Sequence, residues 1–242
     1  MNAIELNGVS VCYRSEKIRS LKELVVRGLR PSRPLFYSLR GINLGIAAGE
    51  SVGIIGANGA GKSTLLRVAA GIIQPSEGVA ISRGNIVPLM ELGTGFEAEL
   101  SGRENIHFNG ALLGRSRAQM RSQIDAIIDF SGIEPFVDAP LRTYSTGTIA
   151  RLAFSIATAV DAETILLDEI LAVGDAGFRE RCDARIQSFV REGRTVVLVS
   201  HDTEAVMALC KRTVWLSHGE IAGDGVSKNV IREYQRHRAD EG

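Results

Sequence analysis

The sequence predicts an α/β fold interrupted by a helical block, on three observations. A buried strand over residues 52–55 runs through a glycine-rich loop into an apolar-spaced helix over 64–73. Strand and helix patterns alternate again across 164–216, as they do in a layered α/β sheet. Between these two regions, from Ser101 to about Ala159, the apolar spacing is helical throughout.

In chain order, residues 4–13 alternate well enough for a strand, with Asn7-Gly8 as a turn or bulge and Tyr13 closing it. The segment 14–40 is unusual. It carries Arg14, Lys17, Arg19, Lys22, Arg27, Arg30, Arg33 and Arg40 against only Glu16 and Glu23. Leu21, Leu24, Val25 and Leu29 share one helical face there, and Pro31 and Pro34 stop the helix. The segment reads either as a surface helix with a solvated basic face or as a contact for anionic headgroups or an anionic substrate. A strand follows over 39–47 and leads through Gly49 into the glycine-rich loop. Residues 74–78 form a turn, 79–81 a short strand and 89–96 a second glycine-rich loop. Helices are predicted over 104–113, 117–131 and 148–159, with 132–143 separating the last two. Strands at 164–167, 195–199 and 213–216 then alternate with helices at 178–191 and 203–210. No internal repeat breaks this into independent domains, so residues 1–242 read as a single unit.

Composition sets the outer limits. The chain has 242 residues, an ordinary apolar fraction of 45% and zero formal net charge, so it carries no global basic signal for nucleic acid or a membrane surface. Cys12, Cys182 and Cys210 are far apart and form no C-x-x-C pair, which suits reduced core thiols rather than disulfides or a zinc site. The start, MNAIELNGVS, lacks the basic and apolar regions of a signal peptide. No run approaches the roughly eighteen apolar residues of a membrane span. Any membrane role is therefore expected through a partner or through surface contact.

The glycine-rich loop carries the first chemistry. Gly56-Ala57-Asn58-Gly59-Ala60-Gly61-Lys62-Ser63 fits G-x-x-x-x-G-K-[ST] between a strand and a helix. A loop so poor in side chains turns its N–H groups onto phosphate oxygens, and the helix that continues into Thr64 adds its positive end. Lys62 can reach the β/γ-phosphates and Ser63 can take one position on Mg²⁺. This implies a nucleoside triphosphate site.

Three further signals follow in order. The strand Thr164-Ile165-Leu166-Leu167 ends in Asp168-Glu169. An acid at the end of a strand expected beside the phosphate-loop strand can hold the Mg²⁺ shell, as Asp168 would, and Glu169 can orient the attacking water. A second buried strand ends at Ser200-His201, where a histidine can hold a γ-phosphate. Tyr144-Ser145-Thr146-Gly147-Thr148 opens a helix and makes a second anion site, or by itself merely a cap.

Together these sets resemble the nucleotide-binding subunit of an ABC transporter over essentially the whole chain. The resemblance implies a P-loop NTPase (RecA-like) core with an antiparallel β subdomain and a helical subdomain inserted at about 95–160. It aligns residues 144–148 with the signature loop, Asp168 with the Walker B aspartate, Glu169 with the catalytic glutamate, Asp175 with the D-loop aspartate and His201 with the switch histidine. It also implies a head-to-tail homodimer holding two ATP molecules with Mg²⁺. Each ATP would lie between one subunit's phosphate loop and the other's Ser145 and Gly147. By the same resemblance an aromatic at the end of the first strand stacks on adenine. Tyr13 is the choice, Tyr37 the rival and Phe36 less favoured.

Two departures narrow the group. The signature is YSTGT where LSGGQ is usual, and no glutamine occupies the Q-loop position within 89–96, where Glu91 is the sole metal-capable side chain and is not carried over as a ligand. The stretches ELGTGFEAELSGRENI, YSTGTIARLAFSIA and LLDEILAVGD, with the basic insertion, resemble the ATPase subunits of polysaccharide exporters, those for O-antigen and teichoic acid among them. That group implies ATP hydrolysis coupled to a polytopic permease, with a lipid-linked polysaccharide as cargo and a peripheral place on the cytoplasmic face of the membrane. The permease would dock near 95–109. Some relatives add a carbohydrate-binding β-sandwich after this point, and none is expected within residues 1–242. The competing reading is a soluble ABC ATPase acting on nucleic acid or ribosomes, or a cassette for another substrate. No nucleic-acid partner is expected.

Overall fold

The computed structural model describes residues 1–14, 35–90, 93–168 and 174–240. Within them the chain forms two sheets and a helical block. β1 (Asn2–Arg14) pairs antiparallel with β2 (Leu35–Ala47) on one side and with β4 (Glu77–Ser82) on the other. Ile4, Leu6, Val9 and Val11 alternate toward the interior, and the alternation slips between Leu6 and Val9, where Gly8 takes φ 61°. That bulge is the Asn7-Gly8 feature expected from the sequence. The expected antiparallel subdomain is thus this three-stranded sheet.

The second sheet has the order β5-β6-β7-β3-β8-β9. Its parallel members are β3 (Ser51–Ile55), β5 (Ile86–Pro88), β6 (Thr164–Asp168), β7 (Thr195–Val199) and β8 (Arg212–Ser217). β9 (Glu220–Val226) returns antiparallel along β8. Two expectations change here. β7 lies between β6 and β3, so the strand ending in Asp168 is one place removed from the phosphate-loop strand. The β8–β9 hairpin was not predicted; its turn is His218-Gly219, at φ 49° and 83°, and a histidine in the left-handed region gives little warning in sequence.

Helices α1 (Lys62–Ala69), α5 (Ala176–Arg191), α6 (Thr203–Leu209) and α7 (Ser227–Asp240) accompany the large sheet. Between β5 and β6 the chain forms α2 (Gly102–Leu112), α3 (Arg117–Ser131) and α4 (Thr146–Ala159). Capping boxes start the first two of these, Ser101 with Glu104 and Ser116 with Gln119, and Gly132 at φ 68° ends α3. The helical block has its own core of Ile106, Met120, Ile127, Leu152 and Ile156.

The central parallel strands β3, β6 and β7 are buried on both faces, as parallel sheets require. Leu166, Val197 and Val199 face the antiparallel sheet; Ile165, Leu167 and Leu198 face Phe178 and Ile186 of α5 and Val230 of α7. Arg212 ties the edges together, donating to both Asp224 oxygens at 2.6 Å, to Glu50 at 3.2 Å and to the Gly45 carbonyl at 2.9 Å. No helix among the described residues is long and apolar enough to cross a membrane. The basic segment lies outside the described residues, save for its ends.

Candidate active site

β3 is buried along its whole length and delivers the chain to Gly56 at φ 150°, where a Cβ would stand 2.2 Å from the Leu216 carbonyl oxygen. At the far end Gly61, at φ 105°, passes so close to β2 that a Cβ would stand 2.4 Å from the Ser38 oxygen. Glycine is therefore required at both ends for close packing, independently of any ligand. Between them Ala57 and Ala60 make a turn, Ala60 N–H donating to the Ala57 carbonyl at 3.2 Å. Gly59, at φ 80°, has open space around it.

Lys62 is 8% exposed and curls back into its own loop. Its ammonium donates to the Gly56 carbonyl at 2.8 Å and to the Ala57 carbonyl at 3.0 Å. No side chain caps α1 at Gly61, so the first-turn N–H groups are available to an anion. Ser38 and Thr64 share a hydroxyl hydrogen bond of 2.8 Å that pins α1 to β2.

A cleft of about 460 Å³ opens in front of this loop. Among the described residues it is lined by Asn58, Gly59, Gly61, Lys62, Ser63 and Thr64 of the loop and helix, by Asp168, and by Phe36, Ser38 and Met90. The side-chain chemistry is that of a polyphosphate and a hard divalent cation: one ammonium, hydroxyls, helix N–H groups and one carboxylate. These residues fit a nucleoside triphosphate with Mg²⁺.

Tyr13, Ser145, Gly147, Asp175 and His201 do not line this cleft. Tyr13 is the direct cross-strand partner of Phe36, so the two rings lie on one face of the β1–β2 ladder. Phe36 is 60% exposed and Tyr13 43%. Tyr37 takes the opposite face by strand alternation, with the Arg40 guanidinium 5.1 Å from its ring centroid. Of the three rings, Phe36 is the one that lines the cleft. The signal was the period-2 alternation that puts it on the same face as Ser38.

Ser145 is the N-cap of α4, accepting from the Thr148 N–H at 3.1 Å, and it is exposed; neither it nor Gly147 lines the cleft of its own chain. Tyr144 anchors the signature loop, its hydroxyl donating to the Phe136 carbonyl at 2.7 Å, and burial pushes that phenol up. Asp175 caps α5. The Phe178 N–H that it accepts at 2.9 Å holds its carboxyl below the usual range, with Arg151 assisting. His201 follows β7 and borders a separate hollow of about 270 Å³ with Thr203, Tyr234, Gln235 and Arg238. Glu169 and Glu91 lie outside the described residues.

Asn105 was missed in the sequence. It is wholly buried and donates to the Glu97, Leu100 and Ser101 carbonyls while accepting from the Glu97 N–H. It thereby shapes the turn before α2. A polar residue on the inner side of a helical pattern was the available hint.

Comparison with known proteins agrees with this geometry. The family model described as ABC transporter matches residues 39–172. The chain is 44% identical over 244 residues to the O-antigen export system ATP-binding protein RfbB of Myxococcus xanthus, covering 97% of this chain and 56% of that relative. It thus spans little more than half of that protein's length. With the RfbB of Klebsiella pneumoniae it shares 38% identity over 220 residues, 89% of each chain. Its fold matches a dimeric, post-hydrolysis structure of the ATP-binding cassette MJ0796 bound to ADP and Pi, with TM-score 0.73 at 22% identity, over 93% of this chain and 98% of that one. A cleft with the composition of a phosphate site, set in this fold and matched by this family across more than half of its length, leads to one assignment: the chain belongs to the ABC transporter family.

Proposed function

We propose that this chain is the ATP-hydrolysing subunit of a membrane ABC exporter that moves a lipid-linked, O-antigen-like polysaccharide across the cytoplasmic membrane. The observation that carries the chemistry is the convergence of Lys62, Ser63 and Asp168 on one cleft at a helix start. The cargo is suggested by the relatives whose names describe O-antigen export.

The reaction is in-line attack of water on the γ-phosphate, catalysed by positioning and charge. The Gly56–Ser63 loop amides and Lys62 hold the phosphate oxygens. Ser63 and Asp168 would hold Mg²⁺, and the ion would supply neutralisation of the phosphate charge. Glu169 polarises the water and His201 holds the γ-phosphate. Phe36, with Tyr13 beside it, stacks on the base.

Ser145 and Gly147 face solvent or stand half-buried away from their own cleft, which suits contact with the nucleotide of a second copy, with Asp175 beside it. ATP then bridges two subunits and hydrolysis releases them, shifting the equilibrium of an attached permease. The permease docks on the helical subdomain near residues 95–109, where Phe108 is exposed, with exposed Leu112 one turn further on α2. We read residues 1–242 as one nucleotide-binding domain, held peripherally at the cytoplasmic face. In its basic insertion, Lys22, Arg27, Arg30 and Arg33 meet anionic headgroups or the lipid-linked diphosphate.

The test is a mild-detergent pull-down of the tagged chain from membranes, followed by mass spectrometry. A polytopic partner at near-equal amount supports the exporter reading. Recovery from the cytosol alone, or with nucleic acid, overturns it while leaving the ATPase chemistry standing.

A further inference from the structure

Arg151, on α4, sits at the joint between the helical block and the core. Its guanidinium is 3.5 Å from the Asp175 carboxylate and 5.8 Å from the centre of the Phe178 ring. Its side-chain stem packs on Gly174, where a Cβ would stand 3.3 Å from Arg151 Cγ and 3.1 Å from Phe178. Gly174 takes φ 76°, so that turn is closed to most side chains on two counts. Behind the arginine, Phe130 of α3, Phe154 of α4 and Phe178 of α5 form a triangle with ring centres 5.6 to 6.1 Å apart. Helices α3, α4 and α5 therefore meet in one packed aromatic contact, with Arg151 clamping the turn at its edge.

Two features set Arg151 apart from an ordinary surface arginine, although its Asp175 partner is 69% exposed. The Arg151 side chain is 24% exposed, so it is largely withdrawn from water. Its Nε is buried and has no hydrogen-bond partner among the described residues. A side chain serving only stability gains nothing from a buried donor left unpaired, since an apolar residue of similar length would fill the space without that cost. Asp175 is already satisfied as a cap by the Phe178 N–H, so the arginine is not needed to start α5.

We propose that Arg151 is a positioning residue that couples the helix carrying Ser145 and Gly147 to the Gly174-Asp175 turn, so that the signature helix and this turn move as one body. The inference rests on the reading of this chain as a nucleotide-driven dimer. In sequence, the turn closes the short connection that begins at Asp168 and includes Glu169. Arg151 thus links the part of the chain that meets the partner copy's nucleotide to the connection that serves its own. It does not line the phosphate-loop cleft of its own chain, so it is expected to act on turnover and not on nucleotide affinity.

The experiment compares the full chain with Arg151→Met, Arg151→Lys, Asp175→Asn and the double variant Arg151→Met/Asp175→Asn. Phosphate release gives kcat and KM, a fluorescent trinitrophenyl-ATP gives Kd, and calorimetry gives Tm. Arg151→Met is expected to lower kcat about tenfold or more, with KM and Kd within about twofold and Tm not lowered, since small displacements at a reacting centre cost far more in rate than in binding. Arg151→Lys keeps the charge and regains part of the rate. The double variant is no slower than its slower parent, because both changes break one link. Unchanged kcat, a kcat loss that follows a lowered Tm or a raised Kd, or additive losses in the double variant would each overturn the proposal. If Arg151→Met does not fold, Arg151→Lys against Asp175→Asn reads the same coupling. A wild-type chain without ATPase activity overturns the nucleotide reading itself, and this inference with it. An active wild type with an indifferent Arg151 overturns only the inference.

Discussion

The Lys62 ammonium sits 2.8 Å from the carbonyl oxygen of Gly56, the residue that opens its own loop. With the bond to Ala57 at 3.0 Å, the cation braces the loop from within while facing the cleft. It is both the strut of the loop and the charge that the loop offers to a phosphate.

Replacing it should therefore damage binding more than a surface charge would. Lys62→Met removes two charge-assisted hydrogen bonds and the only ammonium lining the cleft among the described residues. The ammonium–phosphate contact goes with it, and at roughly 1.5–3 kcal/mol for a hydrogen bond to a charged group ATP affinity should fall by about 10- to 150-fold. Isothermal titration calorimetry reads this directly, and an unchanged Kd would remove Lys62 from the phosphate site.

The aromatic pair makes a second prediction. Phe36 lines the cleft and Tyr13 stands across the ladder from it, whereas Tyr37 faces away. Base stacking contributes about 1–3 kcal/mol per base, so Phe36→Ala should weaken ATP binding about five- to hundredfold. Tyr13→Ala should have a smaller effect and Tyr37→Ala none, with fluorescence titration as the check. An inverted ranking would return the base to the other side of the strand.

Glu169→Gln separates binding from turnover. Loss of the carboxylate that polarises water should leave ATP affinity intact and slow turnover by about 10²–10⁴-fold, the usual contribution of a general base. Phosphate release at saturating ATP measures it. Turnover near that of wild type would place the base elsewhere.

Acid should loosen the fold at identifiable points. The Asp175 carboxyl is held low by the Phe178 N–H, Asp138 by Arg103, Glu104 by the Ser101 N–H, and Glu5 by Asn7 and Arg83. A carboxyl with its folded pKa depressed adds stability above its unfolded pKa and loses it as pH falls through the folded value. Asp183, pushed up by burial, works in the opposite sense, but among the described residues it stands alone against these four. Tm should be flat from about pH 8 to 5 and fall below about pH 4. A Tm that rose on acidification would contradict these assignments.

The site and the frame around it were unequally legible in the sequence. The phosphate loop could be read residue by residue because its chemistry is local: a strand, a turn without side chains, a lysine and a helix start in one continuous stretch. The helical block could be read from its apolar spacing, and the caps that the structure places at Ser101, Ser116 and Gly132 are equally short-range features. What depended on distant pairing was harder to see. The place of β7 between β3 and β6 is a crossover, which no local pattern encodes. The edge strand β9, with exposed and half-buried positions alternating and a histidine in its turn, gave little apolar contrast. That Phe36 and not Tyr13 lines the cleft did not follow from strand position alone; it depends on register, through Ser38 and the close approach of Gly61.

The central claim is that ATP is hydrolysed in a site completed by a second copy of the chain. Mixing two inactive variants, Lys62→Met and Ser145→Arg, tests it most directly. A mixed dimer pairs one intact phosphate loop with one intact signature loop, while its other site carries both lesions. By statistical assortment of a two-fold dimer, the equimolar mixture should recover about a quarter of wild-type phosphate release. Activity that stayed at the sum of the two separate variants would contradict a shared site.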